Sequence, residues 1–250
     1  MLDMEAKNQQ LSGTLAGNES LVAAAHELKS PLVLIRQLAL LLQDDKLTKA
    51  ADRRQLAERI KLTSERSMRL VEALTRSTRL DEAEFALEPV QTSRLCEDVA
   101  HELTPLLKAM DKEIELHLPK QPSLALAHHE LLRSATLGLC DNALTHASDS
   151  KQPIILSAKN QPANATVRLS VRDHGPQISK DIFSRLRERL GKMPQPISDH
   201  PAASGLGLYI AGQFAGAMNG QLGAIAHRQL DTTFYIEIPS VRQLSFLPQS

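Results

Sequence analysis

Two apolar runs with alternating steps of four and three residues limit the folds open to this chain. The first is Leu21, Ala25, Leu28, Leu32, Ile35, Ala39 and Leu42. The second is Leu56, Ile60, Thr63, Ser67, Leu70, Leu74 and Ser77. That rhythm places each set along one side of a helix, as in a coiled coil. Asp44-Asp45-Lys46 interrupts the pattern, so the two helices are predicted to form an antiparallel hairpin. Leu34, Leu38 and Leu41 widen the first stripe beyond what one partner helix covers. A symmetric homodimer, with two hairpins closing into a four-helix bundle, buries the excess. The hairpin is expected over 19–82, preceded by a flexible N-terminus over 1–18.

The chain has 250 residues, enough for this hairpin and a second domain. Aromatics are 3% and Trp is absent, so the cores must be built from Leu, Ala, Ile and Val. Lys plus Arg and Asp plus Glu both number 29, which leaves no basic field for nucleic acid. Cys96 and Cys140 lie among apolar residues and read as small buried side chains, because two cysteines make no disulfide scaffold. The opening MLDMEAKNQQLSG has no apolar signal region, and the apolar stretch Leu32–Leu42 is broken by Arg36. That stretch is far short of the ~20 residues of a membrane span. The expectation is a cytoplasmic protein with no membrane span.

Beyond Leu80 the pattern changes. Strands are expected at 85–90, 114–118, 124–127, 153–158, 166–171, 221–226 and 232–238, and helices at 92–112, 130–147, 179–190 and 204–218. Strands and helices mix without regular alternation, so residues 85–240 read as an α+β sandwich, with a tail over 241–250.

Four stretches could carry chemistry. Ala25-His26-Glu27-Leu28-Lys29-Ser30-Pro31 sets an imidazole beside a carboxylate on a helix flank. Pro31 has no N–H, so the Glu27 carbonyl loses its helical partner and a kink is expected there. Asp141-Asn142-Ala143 puts an amide oxygen, a hard ligand suited to Mg²⁺, on a helix. Asp173-His174-Gly175 follows a strand, where a carboxylate can accept from an exocyclic amine and a glycine permits close approach. Ser204-Gly205-Leu206-Gly207-Leu208 opens a helix whose N–H groups suit a phosphate.

In order and spacing these stretches resemble the catalytic core of two-component sensor histidine kinases over about residues 20–240. His26 to Leu32 is similar to the H-box of a dimerisation and phosphotransfer hairpin. Asp141-Asn142-Ala143 resembles the N-box, while Asp173-His174-Gly175 and Gly205-Leu206-Gly207 resemble the two glycine boxes of a GHKL (Bergerat-type) ATP-binding domain. Ile182-Phe183 falls where an F-box would, and residues 184–203 where the ATP lid would. The resemblance implies that His26 takes the γ-phosphate of ATP, with Glu27 as base and orienter. It implies Asn142 for Mg²⁺, Asp173 with Gly175 for adenine, and Gly205, Leu206 and Gly207 for the phosphates. It also implies a response-regulator receiver domain as phosphoryl acceptor, and a phosphatase role for Ser30. Input is expected from a separate sensory protein, from the lid or from a separate subunit.

His101-Glu102-Leu103-Thr104-Pro105 spells a second H-box, but it lies only 41 residues before Asn142, too few for the rest of a hairpin. His26 lies 116 before it, which fits. Four positions depart from the pattern: Gly138 for an asparagine, Thr145 for a lysine or arginine, and Gln177 and Ala203 for glycines. These imply weakened ATP use. The second reading of the chain is a degenerate kinase-like dimer serving as a phosphotransfer or interaction scaffold.

Overall fold

The computed structural model describes residues 2–43, 49–80, 85–121, 123–146, 151–175, 183, 184, 190, 205–227 and 231–241, with side chains from Val22 onward. Helix α1 (Leu2–Leu42) and helix α2 (Ala50–Ser77) pack together as the expected hairpin. Residues 2–18 do not form the loose segment expected from the sequence but continue α1. No proline precedes Pro31, and extending a formed helix gains one hydrogen bond for each residue fixed. Pro31 itself sits inside α1, which runs on unbroken.

The inner face of α1 is rotated from the expected seam. Ala24 and Leu38 are buried, and Leu28, Pro31, Ile35 and Leu42 are half-buried, a rhythm that still alternates four and three. Leu32, expected on the seam, is 60% exposed. The apolar stripe is wide enough to offer two adjacent rows, and α2 takes the row starting at Ala24. The other row, with Leu32, Val33, Leu40 and Leu41, faces outward, as do Met68 and Val71 of α2. On α2 the expected seam holds, with Leu56, Ile60, Leu70 and Leu74 half-buried beside buried Leu62.

The second domain runs β1 (Glu88–Gln91), α3 (Thr92–Ala109), β2 (Ile114–His117), β3 (Leu124–Ala127) and α4 (His129–His146). It continues with β4 (Ile154–Gln161), a 3₁₀ turn at Pro162–Asn164, β5 (Thr166–Asp173), α5 (Leu206–Ala217), β6 (Gln221–Ala226) and β7 (Thr232–Pro239). Five strands form a mixed sheet in the order β2-β4-β5-β7-β6, parallel only between β2 and β4, while β1 and β3 pair separately. Helix α3 stops before the expected Lys112, because Asp111 turns left-handed with φ 54°. The strand expected at Phe85 starts only at Glu88; the Phe85 ring instead meets His128 edge-on, with centroids 5.4 Å apart. The helix expected over 179–190 lies outside the described residues apart from Phe183, Ser184 and Leu190. Ile182, Gln177, Ala203 and Ser204, and the other positions expected to form the lid, also lie outside them.

The α+β class is therefore correct, and its core positions the site. Strand β5 alternates strictly, with Val167, Leu169, Val171 and Asp173 pointing inward. Three apolar residues in this row join the core shared with α3, α4 and α5. The fourth, Asp173, is a carboxylate at the end of the same row, paired in register with Thr232 of β7. Among the described residues no helix is long and apolar enough to cross a membrane.

Candidate functional site

A cleft of about 1270 Å³ separates the hairpin from the second domain. From α1 it is lined by His26, Glu27 and Ser30, from α4 by Asn142, and from α5 by Gly207. Residues of three of the four motifs therefore line one space, although 116 residues separate His26 from Asn142 in sequence. His26 is exposed, as a residue on the flank of the hairpin should be. His101 is exposed on α3 and does not line the cleft.

Helix α4 presents Ser134, Gly138, Asp141, Asn142 and Thr145 to the cleft, while Leu131, Leu132, Ala135, Leu139 and Leu144 are buried in the core. Steps of three and four residues sort the two sets to opposite faces. The Nδ2 of Asn142 is buried with no hydrogen-bond partner among the described residues. Leaving such a group unpaired costs about 1–3 kcal/mol. A phosphate oxygen accepting from this N–H group would remove that cost, and the Oδ1 of the same amide is the atom that could face Mg²⁺, so Asn142 fits a Mg²⁺–phosphate group.

Asp173, Gly175, Gly205 and Leu206 stand apart from this cleft lining. Asp173 is 4% exposed, and its Oδ1 accepts the Gly175 N–H at 3.0 Å. Burial pushes its carboxyl above the ordinary range, even though the Gly175 hydrogen bond and His174 act the other way. The room provided by Gly175 is already filled by the protein: a Cβ there would lie 2.5 Å from the carbonyl oxygen of His146, the last residue of α4. The glycine therefore lets the end of α4 approach, where the sequence reading assigned it to an approaching base.

Helix α5 begins at Gly205, which adopts φ 67° as N-cap, and no side chain caps that end. Left-handed backbone favours glycine there, and an uncapped helix start suits an anion. Leu206 is fully buried in the core, so any contact it makes with a phosphate is through its main chain. Gly138 and Gly207 lie at the α4–α5 crossing, where a Cβ on Gly138 would stand 3.7 Å from the Gly207 carbonyl oxygen. Cys96 and Cys140 are buried and unbonded, as expected; burial pushes the Cys96 thiol up to about 12 and the Cys140 thiol upward too.

The sequence reading missed two groups. Arg59, Arg66, Arg69 and Arg76 of α2 all line the cleft; their steps of seven, three and seven residues were the available signal. Arg66 and Arg69 reach Asp141, and Arg76 reaches Glu130 and Ser134. The second group is Asp231, which is 7% exposed and pairs with Arg172 and His174 on either side of Asp173.

Residues 127–242 match the family described as histidine kinase-, DNA gyrase B- and HSP90-like ATPases. Over 220 residues the chain is 30% identical to the sensor protein CreC of Escherichia coli (strain K12), covering 88% of this chain and 44% of that protein. It is 28% identical over 240 residues to the sensor histidine kinase AruS of Pseudomonas aeruginosa, covering 93% of this chain and 24% of that one. The fold is similar to full-length ShkA in complex with AMPPNP, with TM-score 0.57 and 24% identity over 90% of this chain and 46% of that one. It is also similar to the Acinetobacter baumannii histidine kinase AdeS, with TM-score 0.54 and 19% identity over 86% of this chain and 97% of that one. The chain is similar to the catalytic core of two-component histidine kinases. It spans less than half the length of the two curated relatives.

Proposed function

We propose that the chain is an ATP-dependent protein-histidine kinase that phosphorylates its own His26. One observation carries this reading: His26 and Asn142 line the same cleft, from opposite domains. Asn142 would hold Mg²⁺, which when bound offsets phosphate charge. The Asp173 carboxylate accepts from the adenine amine, and the α5 start at Gly205 and Gly207 holds phosphate oxygens through main-chain N–H groups. A neutral His26 ring nitrogen attacks the γ-phosphorus; the bond to the bridging oxygen breaks, and ADP leaves with that electron pair. Glu27 orients the ring and takes the proton lost from its other nitrogen.

The phosphoryl group then passes to an aspartate of a response-regulator receiver domain docked on the hairpin, and Ser30, one turn from His26, assists water in cleaving that aspartyl phosphate to free carboxylate and inorganic phosphate. The outward apolar row of α1 and α2 supports a homodimeric four-helix bundle. Incubation with γ-labelled ATP and Mg²⁺ should give acid-labile label on wild type and His101→Gln, and none on His26→Gln. Label lost with His101→Gln and kept with His26→Gln would reverse the assignment.

A further inference from the structure

Phosphoryl transfer needs fixed positive charge around the moving phosphate. Among the described residues, the second domain contributes only one lysine or arginine to the cleft, Arg133. It lies nine residues before Asn142 on α4, or ~13 Å along the helix. It is also bound to Glu102 and within 3.8 Å of Glu130. The cations beside Asn142 come instead from the hairpin.

Arg66 Nη2 donates to Thr145 Oγ1 at 2.6 Å and to the Asp141 carbonyl at 2.9 Å, and its Nε lies 3.2 Å from Asp141 Oδ1. These contacts flank Asn142 on its own helical turn. These contacts use Nη2 and Nε of Arg66, and the guanidinium has a further N–H-bearing nitrogen, Nη1, for an added anion. Arg69 lies 3.7 Å from Asp141 and from Glu102, yet its Nε and Nη2 are buried without a hydrogen bond. Among the described residues, the ion-pair network joins four arginines (Arg66, Arg69, Arg76, Arg133) to three carboxylates (Glu102, Glu130, Asp141), so within it the cations outnumber the anions by one.

The hairpin also fixes the height of this charge. Sixteen residues separate His26 from the α1 end at Leu42, and sixteen separate Arg66 from the α2 start at Ala50. In an antiparallel pair that sets both ~24 Å from the turn.

We propose that Arg66 and Arg69 form the seat of the terminal phosphate as it passes from the Asn142 turn to His26. The hairpin thus supplies the charge that Thr145 cannot, and the site is complete only with the domains docked. This inference rests on the kinase reading above.

The test uses the full chain and four proteins: wild type, Arg66→Gln, Arg66→Lys and Arg66→Gln with Thr145→Lys. Mg²⁺-AMPPNP and Mg²⁺-ADP affinities are measured by calorimetry, phosphohistidine formation at saturating ATP, and folding by thermal melt. Loss of one preorganised charge contact typically costs on the order of 100-fold in rate. Arg66→Gln should lose about that much, and should lose AMPPNP affinity while keeping ADP affinity. Arg66→Lys should fall between it and wild type, and Thr145→Lys should recover much of the loss. Equal loss of both nucleotides without rescue would make Arg66 a docking residue only and overturn the proposal. So would a folded Arg66→Gln that labels at the wild-type rate. If wild type itself places no phosphate on His26, the kinase reading fails, and this inference with it.

Discussion

Nδ1 of His174 lies 2.9 Å from Oδ1 of Asp231, while Arg172 grips Oδ2 of the same carboxylate. The two partners are the immediate neighbours of Asp173. Asp231 therefore fixes the end of β5 from both sides of the carboxylate proposed to meet adenine. Burial would raise its carboxyl, but the hydrogen bonds and charges of Arg172 and His174 prevail and hold it below the ordinary range. A depressed folded value gives stability that is present above the ordinary carboxylate range and lost as pH falls through the depressed value. Asp231→Asn should lower stability at pH 7 by about 1–3 kcal/mol, the cost of breaking a charged hydrogen bond, and weaken AMPPNP and ADP alike. It should also flatten the acid limb of a stability-versus-pH curve. An unchanged acid limb would contradict this role for Asp231.

Asp173 carries the opposite sign. Its folded carboxyl is raised, chiefly by burial, so the ionised form costs stability at neutral pH and that cost is relieved as pH falls. Asp173→Asn keeps an oxygen for the Gly175 N–H and removes the buried charge. It should raise the melting temperature by a few degrees, about 1 kcal/mol, while abolishing measurable nucleotide binding. A variant both less stable and nucleotide-competent would contradict both halves of the argument. Function here is held against stability, as expected of a site residue at the end of an apolar row.

How much of this was legible in the sequence depends on whether a signal is periodic or local. The hairpin and the α+β order could be read because Leu28, Ile35 and Leu42 repeat at helical spacing and β5 alternates. The choice between adjacent rows could not, because Ala24 and Ala25 differ only in which neighbour packs on them. Four motifs were visible as strings, but their assembly was not: His26 and Asn142 share a cleft while Asp173 lies outside its lining. Arg66 escaped notice because its role comes from a domain contact 79 residues away, at Thr145. Asp231 lies 57 residues beyond His174 and similarly acts only through the pairing of β5 with β7.

The outward apolar row predicts the oligomeric state. Leu40 and Leu41 are 52% and 50% exposed in the single chain. Burying one such side chain contributes about 1.5–3 kcal/mol, and a symmetric dimer counts each twice. Leu40→Glu with Leu41→Glu should weaken dimerisation by at least ~100-fold on that basis, read by sedimentation equilibrium, with helix content preserved by circular dichroism. A double variant that remains dimeric at wild-type affinity would move the interface elsewhere.

Gly175 gives the sharpest test of how the two halves of the nucleotide site are joined. Its missing Cβ would lie 2.5 Å from the His146 carbonyl oxygen and 3.0 Å from Asp173 Oδ1. The first is backbone at the end of α4, the helix that carries Asn142, and has no flexible tip to swing aside. Gly175→Ala must therefore push the β5 loop away from α4, separating Asp173 from Asn142. Overpacking of this kind costs about 1–3 kcal/mol, visible as a lower melting temperature. Nucleotide affinity should fall for AMPPNP and ADP together, because the carboxylate proposed for adenine and the helix proposed to hold the metal are displaced relative to each other. That pattern differs from the selective loss expected at Arg66, where only the terminal phosphate is touched. A Gly175→Ala variant with wild-type stability would mean that α4 and the loop are not in firm contact, and the joint role assigned to this glycine would fall.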